Sequence, residues 1–250
     1  MIFDWALKKA LPTHVFSKLL QLKAKQFGME RKYRHLTAEE SFNKIYREGL
    51  WGRDLQGNST SGPGSHDQSV VEPYIKEVKR FLSALDRPVI VDLGCGDFNV
   101  GKNLVADSRQ YVGCDISQEV IRRNIANYRD DKLEFKHVNI AADELPMGDV
   151  ALVRQVFQHM SNKDIGRFVD KVNDSTPYKY LIVTEHIPAF TFKANLDKPA
   201  GPGIRVVMGS GVDIAQTPFN LKYKESRILV DVRKEHAGVN AIIRSTVFVL

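Results

Sequence analysis

Apolar positions change their period near residue 88, and the change divides the chain. Before it they recur at helical spacing. Val15, Leu19 and Leu22 fall on one side of a predicted helix or helix pair over 2–27, interrupted near Pro12. Thr37 to Glu40 has capping-box spacing and predicts a second helix whose apolar stripe holds Phe42, Ile45 and Tyr46. Gly57 to Ser65 (GNSTSGPGS) can continue neither helix nor strand. Helical spacing returns over 70–85, through Val71, Ile75, Val78, Phe81 and Leu82. After residue 88 the pattern becomes short β-branched runs, at 88–94, 110–115, 133–139, 149–156 and 180–186, with helical stretches between them. Such alternation predicts βαβ units and a parallel sheet. Two further strands, 227–233 and 241–250, lie a hairpin's length apart across 234–240. The expected fold is α/β: a Rossmann-like seven-stranded mostly parallel sheet with an antiparallel C-terminal hairpin. An N-terminal helical cap over 1–80 precedes the sheet domain, 81–250.

A chain of 250 residues can bury one such core with an added segment. No apolar run approaches the roughly 20 residues a membrane span needs. The N-terminus lacks the basic, apolar, small-residue order of a secretory signal. Two cysteines, Cys95 and Cys114, make neither a metal quartet nor a disulfide framework, so no metal is expected and a reducing cytoplasm is the simple reading. The net charge of +6 is concentrated early: residues 1–50 hold ten Lys and Arg against five acids. That patch could meet RNA, an anionic lipid surface or a phosphorylated substrate, or be a solvated helix face.

The strongest chemical signal is VDLGCGDFNVG over 91–101, an apolar strand running into glycines with a helix expected after them. Gly94 and Gly96 permit a sharp turn and a close backbone approach to a ligand, at the carboxyl end of a strand. A dinucleotide would ask for G-x-G-x-x-G, but the third position after Gly96 is Asn99. Asp92 and Asp97 flank the turn. Asp97 would repel a pyrophosphate, whereas both acids suit a ligand carrying ammonium and sulfonium groups. Nineteen residues past Gly96, Asp115 ends the second strand, where a carboxylate can accept both hydroxyls of a ribose. It could equally serve as the acid of a helix N-terminus ahead of Ser117.

VDLGCG, the acid ending strand two, and Leu145-Pro146 before a fourth strand together resemble the class I S-adenosylmethionine-dependent methyltransferases over 88–186. A wider likeness to a bacterial methyltransferase group rests on Trp51-Gly52, SGPGS (61–65), CGDFN (95–99), RQVFQHMS (154–161) and TPFNL (217–221). The resemblance implies S-adenosyl-L-methionine as cofactor and S-adenosyl-L-homocysteine as product. It places Asp92, Gly94, Cys95, Gly96 and Asp97 around the methionine moiety, and Asp115 with Ile116 at the ribose. Asn139 and Ile140 would meet the adenine, with an amide oxygen where the class often has an aspartate. Gln155 and Val156 would lie beside the sulfonium. Ser61, Gly62 and Ser65 would close over the methionine end and bind its carboxylate.

Methyl transfer needs a positioned nucleophile, and a hydroxyl acceptor also needs a base. His159, after strand four, is the first candidate, although Ser161 to Asp164 has capping-box spacing and offers it a structural role. Glu185 and His186, expected to end strand five at the same cleft, are the second. Tyr46, Trp51 and Phe219 could line an acceptor pocket or be core. The cap and a mid-chain insert over 187–220 can enclose a small molecule but not a long polymer. A small-molecule acceptor is therefore expected, a sugar or glycan-precursor hydroxyl first among them. An RNA acceptor, met through the basic N-terminus, is the alternative partner.

Overall fold

The five β-branched runs form five adjacent parallel strands. The computed structural model of the protein describes Gly28 and residues 31–250, so the helix predicted over 2–27 lies outside the described residues. The strands are β1 Val89–Leu93, β2 Gln110–Asp115, β3 Leu133–His137, β4 Val150–Arg154, β5 Tyr180–Pro188, β6 Glu225–Arg233 and β7 Ala241–Val249. They lie in one seven-stranded sheet of order β3-β2-β1-β4-β5-β7-β6. Strands β1 to β5 pair in parallel, while β7 runs antiparallel to β5 and to β6. This is the expected mixed sheet with its closing hairpin.

Successive strand residues face opposite sides, and both sides are buried. Ile90, Tyr111, Val150, Leu152 and Ile182 meet Tyr74, Val78 and Leu82 of α3 Gln68–Leu82 on one face. Val91, Leu93, Ala151, Val153 and Leu181 meet Ile165, Phe168, Val169 and Val172 of α5 Asn162–Ser175 on the other. Among the described residues there are also α1 Ala38–Glu48, the single turn α2 Pro63–His66 and α4 Gln118–Asn127, with residues 31–33 helical ahead of α1. The segment predicted to be neither helix nor strand thus contains one short helical turn, begun by Pro63 at its first position.

The helix expected directly after the glycines is replaced by two 3-10 turns, Gly101–Asn103 and Val105–Asp107. Side chains compete there for the carbonyls an α-helix would use. The Asn103 amide donates to the Asn99 and Val100 carbonyls, and the Ser108 hydroxyl to Val105. Strand β2 then begins at Gln110, leaving little length for a longer helix.

Helix α1 has the predicted capping box: Thr37 Oγ1 accepts from Glu40 N, and the Glu40 carboxylate accepts from Thr37 N. It lies over the carboxyl ends of the strands. The Ser117 hydroxyl donates to Asn43 Oδ1 at 2.8 Å, and His137 Nε2 is 3.3 Å from the Glu39 carboxylate. Helix α3 packs on the sheet, whereas Tyr33 and Leu36 before α1, Phe42 and Ile45 of α1, and Trp51 after it form a separate cluster that also touches Ile116.

Candidate active site

The site is built at the carboxyl ends of β1, β2, β4 and β5. Gly94 and Gly96 have φ of +89° and +56°, in the region an L side chain avoids. A Cβ would stand 2.4 Å from Val156 Cγ2 at Gly94, and 2.2 Å from Ser61 Oγ at Gly96. Glycine is required at both places. Gly94 N and Cys95 N both donate to the Cys114 carbonyl at 2.8 Å, which folds the turn back against β2.

Asp115 closes that turn. One carboxylate oxygen accepts from Gly96 N at 3.0 Å and the other from Ser117 N at 2.8 Å. Burial raises its pKa, against the pull of the two N–H groups. Its part at the helix start is therefore real, but each oxygen keeps a second lone pair. Asn124 of α4 donates to the Gly96 carbonyl at 2.7 Å and fixes the loop from the other side.

These groups border one large cavity, about 1430 Å³ of empty space counting its mouth. Gly94, Cys95, Gly96, Asp115 and Ile116 form its floor, continued by Asn139 and Ile140 after β3 and by Gln155 and Val156 after β4. Phe42, Tyr46, Trp51, Ser61, Gly62 and Ser65 cover it from the cap. Pro202 and Ile204 of the insert close another side, with Lys234, Glu235 and His236 of the β6–β7 turn. His159 and His186 stand in the same wall. Phe219 does not reach it; that ring is buried among the residues packed around α5.

Asp92, Asp97 and Glu185 are likewise outside this lining. Asp92 accepts from the Tyr111 hydroxyl at 2.8 Å, and burial pushes its pKa up to about 7. Asp97 accepts from Ser61 N at 2.8 Å and lies 2.6 Å from His66 Nε2, while its own N donates to Ser61 Oγ. It fastens the Ser61 loop onto the glycine turn. Glu185 accepts from Phe157 N at 3.1 Å and caps the 3-10 turn Phe157–His159. Burial pushes it up to about 8, against Arg205 and the backbone donors. Strand β5 runs on to Pro188 instead of ending at His186, so alternation puts Glu185 and His186 on opposite sides.

Both histidines are neutral and oriented. His159 donates from Nδ1 to the Gly201 carbonyl at 3.3 Å, and its Nε2 is 3.2 Å from the Gln158 amide. Its ring centroid is 4.9 Å from that of Trp51. Burial, with Lys198 nearby, pushes its pKa down to about 3. His186 donates from Nε2 to the Lys234 carbonyl at 3.0 Å, with burial pushing its pKa down to about 4.

Residues 91–176 match the family model of a methyltransferase domain. Several solved structures share the fold at low identity. The N-methyltransferase NodS from Bradyrhizobium japonicum WM9, in complex with S-adenosyl-L-homocysteine, is 12% identical with a TM-score of 0.55. That match covers 84% of this chain and 97% of the other. The methyltransferase domain of bacterial CtHen1 is 17% identical with a TM-score of 0.51, over 72% of this chain and 98% of that one. Residues 91–176 are a methyltransferase domain, and the chain has the fold of the class I S-adenosylmethionine-dependent methyltransferases. Magnesium protoporphyrin IX methyltransferase from Synechocystis PCC 6803, with bound SAM, is a third match, at 13% identity and TM-score 0.50. It covers 84% of this chain and 97% of its own. No curated protein sequence matches the chain. Among the described residues, no helix is long and apolar enough to cross a membrane.

Two arginines escaped the sequence reading. Arg154, ending β4, donates to the Gly64 carbonyl at 2.7 Å and reaches Ser65 Oγ at 3.5 Å. Its guanidinium lies 4.9 Å over the Tyr74 ring, and its Nε has no hydrogen-bond partner. A cation inside the apolar run VALVR was the signal available for it. Arg205 of the insert is fully buried and donates to the Leu196, Phe157 and Met160 carbonyls and to Asn162 Oδ1. Gln155, beside Arg154, has φ +56°, a strained value for a residue with a side chain.

Proposed function

We propose that the protein methylates an enclosed small molecule, with S-adenosylmethionine held across the carboxyl ends of β1, β2 and β4. The observation that carries this reading is the single cavity whose floor is the glycine turn and Asp115, and whose other walls are cap, insert and β6–β7 turn. The residues present fit the cofactor. Asp115 keeps lone pairs for the ribose hydroxyls, beside Ile116. Asn139 and Ile140 border the adenine, although Asn139 Oδ1 already accepts from Ala141 N. Gly94, Cys95 and Gly96 border the methionine moiety, with Gln155 and Val156 near the sulfonium. Ser61, Gly62 and Ser65 meet the carboxylate, and Arg154 supplies a desolvated cation there. Asp92 and Asp97 act from behind this lining, Asp97 by holding the Ser61 loop.

When bound, S-adenosylmethionine supplies a methyl carbon already activated by its sulfonium. What the protein adds is position and exclusion of water. The acceptor half is walled by Trp51, Met160, Ile204 and Ile243, with His159, His186 and the β6–β7 turn adding polar groups, which suits a small molecule with both an apolar face and polar substituents. A hydroxyl on a sugar or glycan precursor is the narrower choice. The RNA alternative rested on a basic segment lying chiefly outside the described residues, and no observation favours it. Both cysteines are free, which suits the cytoplasm.

Calorimetric titration of S-adenosylmethionine is the direct test. Asp115→Ala is expected to weaken binding at least about tenfold, or roughly 1.4 kcal/mol. Unchanged affinity would falsify the ribose assignment. Incubation with methyl-labelled cofactor and fractionated cell extract tests the acceptor: label in a small molecule supports the reading, and label in RNA or protein overturns it.

A further inference from the structure

We infer that His186 is the catalytic base, taking a proton at Nδ1 from the acceptor, and that the methylated group is accordingly a hydroxyl. This rests on the methyltransferase reading and deepens it. Three side chains were candidates for the base, and their partners separate them.

Glu185 is turned to the backbone of the Phe157–His159 turn and lies outside the cavity lining. His159 lines the cavity, but both its nitrogens are engaged: Nδ1–H donates to Gly201, and the Nε2 lone pair receives the Gln158 amide. His186 differs. The group opposite its Nε2 is a carbonyl, which only accepts, so Nε2 carries the hydrogen and Nδ1 the lone pair. Among the described residues no group hydrogen-bonds Nδ1. The side chain is 5% exposed and lines the cavity, so a ligand there is the partner available to it.

The carbonyl that fixes this tautomer is itself anchored. Lys234 N donates to the Ala241 carbonyl at 2.9 Å, and the Lys234 ammonium pairs with the Asp67 carboxylate at the start of α3. His186 is also locked in the β5–β7 register opposite Ile243. Base, orienting group and support therefore form one chain, as nucleophile activation requires. Burial, with His236 and Lys234 close by, keeps the imidazole neutral and its lone pair present at neutral pH.

The step balances. The acceptor O–H bond breaks as its proton passes to His186 Nδ1. The oxygen forms a bond to the methyl carbon, and the carbon–sulfur bond breaks with its electron pair going to sulfur. The products are a methyl ether, a neutral thioether and an imidazolium, which returns its proton to solvent. An amine acceptor reacts through a lone pair it already has and needs no such base.

Two measurements on the full chain test this. Imidazole nitrogen NMR at neutral pH is expected to show His186 protonated at Nε2 and bare at Nδ1; the opposite tautomer overturns the assignment. In assays with labelled cofactor and the extract fraction that takes up label, His186→Gln is expected to lower turnover about 10²–10⁴-fold. Its calorimetric affinity for S-adenosylmethionine should stay within twofold of the parent. His159→Gln is expected to lose less. A larger loss in His159→Gln than in His186→Gln, or a product methylated on nitrogen, overturns the base assignment. Failure of the parent protein to bind S-adenosylmethionine at all overturns the methyltransferase reading instead.

Discussion

Two buried carboxylates near this cavity, Asp115 and Glu185, are held by backbone N–H groups, and burial sets when each is charged. Asp115 and Glu185 both accept such donors, yet only Asp115 has a face on the cavity. Glu185 is the more deeply desolvated, with a pKa near 8 in the fold against about 4.3 for an exposed glutamate. Its native state therefore holds a proton that the unfolded chain gives up between those values. Stability from this group is full below about pH 4.3 and is lost as pH rises through 8. Glutamine can still accept from Phe157 N but cannot titrate. Glu185→Gln should therefore gain on the parent protein as urea midpoints are compared from pH 5 to pH 9. A difference that stays flat or runs the other way would refute the buried, protonated state.

The insert between β5 and β6 has little regular structure, so its place depends on side chains more than on backbone ladders. Arg205 supplies the strongest tie, with one guanidinium reaching carbonyls on both the insert and the turn that carries His159. Arg205→Met fills similar space but leaves those acceptors and Asn162 Oδ1 without a donor. A loss of roughly 2–5 kcal/mol in equilibrium unfolding is expected, with Arg205→Lys recovering only part of it. A loss below about 1 kcal/mol would show that the insert is held elsewhere. This tie explains what was legible in the sequence. The strands were, because β-branched runs and their burial are local, and so were the caps at Thr37 and Ser161. The glycine turn and Asp115 were legible because their spacing is short. Arg154 and Arg205 were not, since their partners lie as far as 90 and 48 residues away. The missing helix after Gly101 depended on Asn103 and Ser108 competing for carbonyls, which no periodicity records.

At the scale of the whole molecule, the cap, the glycine turn and the sheet close on one another through polar contacts that meet at the cofactor loop. Tyr46 of α1 is 3.0 Å from Ser61 Oγ, Ser61 is bonded to Asp97, and Arg154 of β4 holds Gly64. A ligand filling the space among them should bind only the assembled arrangement, so its binding energy adds to the stability of the fold. At a concentration 100 times its dissociation constant, a ligand stabilises by about 2.7 kcal/mol. For a domain of this size that corresponds to a rise in Tm of roughly 5–11 °C. S-adenosylhomocysteine should produce this rise in the parent protein. At the same concentration the rise should fall by about half or more in Asp115→Ala, and be reduced in Ser61→Ala, which removes the hydroxyl that Tyr46 and Asp97 share. The parent and the two variants together separate two ways the cap could act. If the Ser61 loop only shields the cavity, Ser61→Ala will shift with ligand as far as the parent does. If the loop is part of the binding surface, as its bonds to the glycine turn imply, the shift will fall short even though the glycine turn and Asp115 are intact.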